Sequence, residues 1–154
     1  MRFIFIIFFA LINSTFFLNS IENSFFQKLR DKELATFNDA ITLMRILYDE
    51  EDSDDIFIEN ILWAAGKKLF QVTIPLKPDT INPVITRQEF AYWICKVFNL
   101  TNSKSDIETN RYASYYLCID LEILKPGRGL EDVFTGTELL DTFAFLDYFV
   151  KYNK

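Results

Sequence analysis

The chain has 154 residues, enough for one domain with a real core, and half of them are apolar, which excludes a disordered chain. Its 16 basic against 22 acidic residues give a net charge of −6 with no basic stripe. That argues against nucleic-acid partners and anionic membranes, because both need clustered Lys and Arg. There is no histidine, so Ser-His-Asp and Cys-His catalysis, His-based zinc sites and the commonest general base are excluded together.

The first twenty residues have the shape of a secretory signal: Arg2, an apolar run from Phe3 to Leu11, then Asn13, Ser14 and Thr15. The run is short for a bilayer span, so cleavage is expected in preference to an uncleaved anchor, after Ser20 or, second, after Ser14. No Cys lies there to take a lipoprotein anchor. The expectation is export to the periplasm or cell envelope, with membrane contact only through an uncleaved signal.

Ser24 to Leu34 reads as helical, with Phe25, Phe26, Leu29 and Leu34 at helical spacing. A second apolar face follows through Phe37, Ile41, Met44, Leu47 and Tyr48, either continuous with the first or broken at Ala35-Thr36. Asp49 to Asp55 (DEEDSDD) is a solvated linker; as a calcium loop it has no Gly at the sixth position and no Glu at the twelfth. Phe57 to Phe70 is predicted as a helix with its stripe at Phe57, Ile58, Ile61, Leu62, Ala65 and Leu69, and Trp63 beside it. Pro75, Pro78 and Pro83 then impose an extended loop.

Val84 to Leu100 is predicted as a helix with Phe90, Trp93, Ile94 and Val97 on one face, followed by a loop over Thr101 to Asp106. The next helix, from about Glu108 to Leu124, shows Tyr112, Tyr115, Tyr116, Ile119 and Ile123, and is expected to stop at Lys125-Pro126-Gly127. The last helix runs from Thr135 to about Tyr152. The predicted core is Phe90, Trp93, Ile94, Tyr116, Ile119, Phe143 and Leu146. Cys95 and Cys118 are too few for a disulfide framework; each is read as a buried thiol in preference to a bridge, which needs close Cα placement.

Thr36, Thr86 and Thr135 stand 50 and 49 residues apart, and each is followed three residues on by an acid: Asp39, Glu89 and Glu138. A Thr at the N-cap accepts from the amide at N3, and a Glu at N3 reaches back to the cap amide; the shorter Asp39 is expected to reach less well. Leu69-Phe70 and Ile123-Leu124 also align, 54 residues apart. A fixed period near 50 implies stacked supersecondary units that share one core.

Ile85-Thr86-Arg87-Gln88-Glu89-Phe90-Ala91 resembles the signature I-T-R-A-E-F-A of the S-layer homology repeat. The resemblance covers a domain at 21–154 in three copies, about 22–50, 55–100 and 106–152. It implies an all-α bundle of five or six helices built from three helix-loop-helix repeats about a pseudo-threefold axis. It also implies a non-catalytic role in the bacterial cell envelope, without cofactor or metal, with an acidic wall glycan as partner. The family's signature Arg is matched by Arg87 alone, since Phe37 and Gly136 stand in the other copies.

Arg87 lies at the first helical position, where a cation opposes the helix dipole and the cap itself makes no use of the side chain. Arg111, Lys125 and Arg128 are the further candidate contacts, the last two flanking Gly127 in a Gly-rich loop whose amides can cradle an anion. Glycosidase chemistry would need two carboxylates across a cleft, and Glu89 and Glu138 are the pair available; both are assigned to capping. The alternative to glycan binding is an adaptor or subunit that docks on a partner envelope protein through an apolar face.

Overall fold

The computed structural model describes residues 25–49, 57–69, 82–100 and 110–152. The signal-like segment, most of the acidic run, most of the proline-rich stretch and the loop over Thr101 to Asp106 lie outside these residues. Six helices occur among the described residues: α1 (25–30), α2 (Phe37–Asp49), α3 (Phe57–Gly66), α4 (Arg87–Val97), α5 (Arg111–Asp120) and α6 (Gly136–Tyr152). The domain is all-α, with no strand in the described part. Among these residues no helix is long and apolar enough to cross a membrane.

Three helix starts show how the repeat works. A helix leaves its first four N–H groups without intrahelical partners. Here the third is taken by the capping Thr: Asp39, Glu89 and Glu138 each donate N–H to the Oγ1 of Thr36, Thr86 and Thr135, at 3.5, 3.3 and 3.2 Å. The first is taken by a neighbouring repeat: Phe37 N–H reaches the carbonyl of Pro83 at 2.9 Å, Arg87 that of Asp132 at 2.9 Å, and Gly136 that of Lys32 at 3.0 Å. One residue before each Thr, a second ring closes. Ala35 N–H donates to Phe134, Phe134 to Ile85, and Ile85 back to Ala35, at 2.8, 3.3 and 3.0 Å. All three residues are fully buried. Ala35-Thr36 is therefore extended, and α1 and α2 are separate helices.

The return half of the capping box differs from expectation. Asp39, despite its shorter side chain, accepts from Thr36 N–H at 2.8 Å, as Glu138 does from Thr135 at 3.1 Å. Lys32 Nζ holds the other Asp39 oxygen at 2.6 Å. The carboxylate of Glu89 is instead turned to Trp93 Nε1, at 3.1 Å, and to Arg111.

Phe90, Trp93, Ile94 and Leu146 are fully buried, as predicted. Ile119 and Phe143 are only partly buried against the core, and Tyr116 is exposed. On α5 the inward face is Ser114, Tyr115, Leu117 and Cys118, so Tyr112 and Tyr116 point to solvent and pack against each other as a tilted pair with ring centroids 4.7 Å apart. On α3 the stripe is also rotated. Ile58 and Leu62 are exposed, while Asn60, Ile61 and Ala64 face inward. The cause is polar: buried Asn60 donates to Asn38 Oδ1 and Thr42 Oγ1 at 2.9 and 2.8 Å and accepts from Arg45, and satisfying it fixes the helix rotation.

The helix ends depart from those expected of the sequence. α5 stops at Asp120, well before Lys125-Pro126-Gly127, because Glu122 enters the left-handed region (φ 60°) and Ile123 N–H bonds back to Cys118. α3 and α4 end in the same way, through Lys68 (φ 57°) with Leu69 bonding to Ala64, and through Asn99 (φ 53°) with Leu100 bonding to Cys95. These are Schellman-type closures with a following apolar residue as anchor. Leu69 and Ile123, aligned by the sequence spacing, are both such anchors and both buried.

Gly136 is required by packing. A Cβ there would lie 1.6 Å from the Leu29 carbonyl oxygen, which is backbone and cannot step aside. Gly66, at the end of α3, has open space around the same position. Gly136→Ala should therefore destabilise by about 3 kcal/mol or more, whereas Gly66→Ala should be neutral or stabilising by up to about 1 kcal/mol. Urea denaturation of the two variants checks the contrast, and equal stabilities would contradict the close approach of α6 to the α1 end.

Candidate functional site

The second and third repeats meet at a cavity of about 210 Å³ lined by Arg87, Lys125, Pro126, Arg128, Glu138 and Thr142. Three elements build it. The N-terminus of α4 supplies Arg87, the loop between α5 and α6 supplies Lys125 to Arg128, and the first turns of α6 supply Glu138 and, one turn on, Thr142. Three of the four candidate contacts predicted from the sequence thus come together in one place.

Arg87 is only 4% exposed. Its Nη2 donates to the Lys125 carbonyl at 2.6 Å, and its guanidinium lies 5.3 Å from the centroid of the Phe134 ring. Its Nε is buried without a hydrogen-bond partner. The carbonyl and the aromatic face offset the unfavourable placement of a cation at a helix start. The cap makes no use of the side chain, but the neighbouring loop does: Arg87 fastens the Lys125 loop to α4.

The loop cations are paired at the rim. Arg128 Nη2 holds Glu138 Oε1 at 2.8 Å, and Lys125 Nζ holds Asp141 Oδ2 at 3.0 Å, both solvent-exposed contacts worth about 0–1 kcal/mol each. The loop backbone is fixed more firmly. Gly127 takes φ 88°, Gly129 N–H donates to Asp132 Oδ2 at 2.8 Å, and Tyr115 donates its hydroxyl proton to the Arg128 carbonyl at 2.5 Å. Among the lining residues there are three cations and one carboxylate.

Arg111 is not part of this cavity. Its Nε and Nη2 form a fork on Glu89 at 2.5 and 3.3 Å, and its guanidinium lies 5.2 Å from the Tyr92 ring centroid. The hydrogen bond to Glu89 raises its already high pKa, so it is a fixed cation tying α5 to α4. The two acids considered as a catalytic pair are committed too: Glu138 to the Thr135 cap and Arg128, Glu89 to Trp93 and Arg111.

The cavity has no counterpart of Arg87 at the equivalent helix starts. Phe37 packs edge-on against Trp93, ring centroids 4.7 Å apart, and Gly136 lies under the Leu29 carbonyl. Sequence reasoning missed Thr142 and the positioning role of Tyr115. The Glu138-to-Thr142 spacing of one helical turn was the available signal for the first. The second carries none, because Tyr115 reads as one more apolar position. Comparison with protein families, with characterised proteins and with solved structures finds no match to this chain.

Tyr115→Phe removes the hydroxyl contact and leaves the ring in place. It should cost about 1 kcal/mol and speed amide exchange at Gly127 to Gly129, read by hydrogen exchange. Unchanged exchange there would mean that Tyr115 does not hold the loop.

Proposed function

We propose that the protein is an exported, non-catalytic module of the S-layer homology type that binds an acidic cell-envelope glycan weakly through the Arg87 cavity. The observation that carries this reading is a nearly buried guanidinium with an unpartnered Nε in a cavity edged by Lys125 and Arg128. A guanidinium binds a carboxylate with charge-assisted hydrogen bonds, and the surrounding low dielectric strengthens them. The cavity is smaller than the roughly 300–1,000 Å³ of drug-sized pockets, which suits one acidic sugar residue and not an oligosaccharide. One such charged contact contributes about 1.5–3 kcal/mol, short of the roughly 4 kcal/mol of a millimolar complex, so Arg87 reaches about millimolar strength only with help from Lys125 and Arg128.

The test is co-sedimentation with purified wall material at low salt. Arg87→Ala should abolish it but also costs stability, because the side chain is buried. Lys125→Met and Arg128→Gln are exposed substitutions that should weaken binding several-fold with the circular dichroism unchanged. Arg111→Gln should bind as the wild type does. If the wild type does not sediment, or the Lys125 and Arg128 variants sediment equally well, the glycan reading fails. The adaptor reading then stands, supported by the exposed stripe of Phe145, Tyr148 and Tyr152 on α6.

A further inference from the structure

The two cysteines, far apart in sequence, meet where α4 and α5 pack together. Cys95 and Cys118 are both buried, with Sγ atoms 3.8 Å apart. Each sulfur also reaches the backbone of the opposite helix. Cys95 Sγ lies 3.8 Å from the Ser114 carbonyl oxygen, one turn before Cys118, and Cys118 Sγ lies 3.8 Å from the Ala91 carbonyl oxygen, one turn before Cys95. The reciprocity means that each sulfur sits against the facing helix one turn from the other cysteine, where Ala91 and Ser114 have small side chains. The two sulfurs, 3.8 Å apart, need to close to about 2.05 Å to form a disulfide.

We propose that Cys95 and Cys118 form an intramolecular disulfide that locks α4 to α5 when the protein meets a disulfide oxidant. The step balances as thiol–disulfide exchange. Cys95, as thiolate, attacks one sulfur of the oxidant and releases the other as a thiol. Cys118, deprotonated in turn, attacks the Cys95 sulfur of the mixed disulfide and releases the second thiol. The two cysteines lose two electrons and two protons, and the oxidant gains them as two thiols. The order follows from the environment: the hydrogen bond from Cys118 lowers the Cys95 pKa, while the contact with Cys95 and burial push the Cys118 thiol well up. Both thiols are free at this separation.

The bond would close a loop of about 24 residues that includes the connection between the second repeat's capped helix and α5, and so would remove conformational freedom from the unfolded chain. The full chain, unfolded and refolded in a glutathione redox buffer so that burial cannot block access, is denatured, alkylated and weighed. The expected product is lighter than the reduced chain by two hydrogen atoms, takes up no alkylating agent and melts about 10 °C higher, and reductant reverses all three. The Cys95→Ala/Cys118→Ala variant should melt at one temperature with and without oxidant. Two alkylated cysteines after refolding in oxidant, or a disulfide form that melts no higher than the reduced form, would overturn the proposal.

Discussion

The architecture depends on the ring of backbone hydrogen bonds through Ala35, Ile85 and Phe134. Each of these residues gives one N–H to one repeat and takes one from the other, and all lie where water does not reach. A buried peptide group without a partner costs about 1–3 kcal/mol. No repeat can satisfy its own group, so the ring exists only when all three are in place. The second set of bonds, from the first amides of α2, α4 and α6 to Pro83, Asp132 and Lys32, has the same logic and settles where each helix begins. The helices are thus positioned by their starts. Apolar faces such as those of Phe90, Trp93 and Leu146 fill the space that the starts define.

A ring of this kind demands equivalence of the backbone and leaves the side chains free to differ, and the differences decide where a site can exist. At the first helical position the three repeats carry Phe37, Arg87 and Gly136. Phe37 is spent on Trp93 and adds to the core. Gly136 allows the end of α1 to lie against α6, which closes that junction. Arg87 alone leaves a polar group at a junction that stays open. The Arg87 cavity follows from one residue choice per repeat on a shared backbone plan, together with the loop from Lys125 to Arg128.

The parts that were legible in the sequence are those governed by local chemistry. A Thr followed by an acid three residues on reports an N-cap whatever surrounds it, so three in register gave the repeat and the all-α class. Arg87, Lys125 and Arg128 were legible because a motif match and a Gly-containing loop single them out. Helix ends were not legible, since Lys68 and Glu122 occupy left-handed positions that usually favour Gly or Asn. Nor was the rotation of α3, because a buried Asn60 with three partners overrides the apolar stripe that periodicity assigns. Arg111 looked equivalent to the other cations because spacing does not say which junction a side chain faces. The proximity of Cys95 and Cys118 belongs to the same class, being a property of how two helices cross.

Arg87 serves the fold, and in the glycan-binding reading proposed above it would serve the ligand as well. A guanidinium has five N–H donors in a plane. One goes to the Lys125 carbonyl at 2.6 Å, and the Phe134 ring contributes its aromatic face. Neither partner carries a formal negative charge, so the positive charge of Arg87 is solvated by dipoles and not neutralised. Lys125 and Arg128 differ in this respect, as each faces a carboxylate that screens it. Added salt weakens those exposed pairs far more than it weakens a buried cation. The field within the cavity is therefore set mainly by Arg87, and the rim pairs act as a polar border that an anion must partly displace. Under the proposed reading, an incoming carboxylate would gain most by reaching the guanidinium, and the cavity's volume of about 210 Å³ would limit that reach to one acidic group at a time.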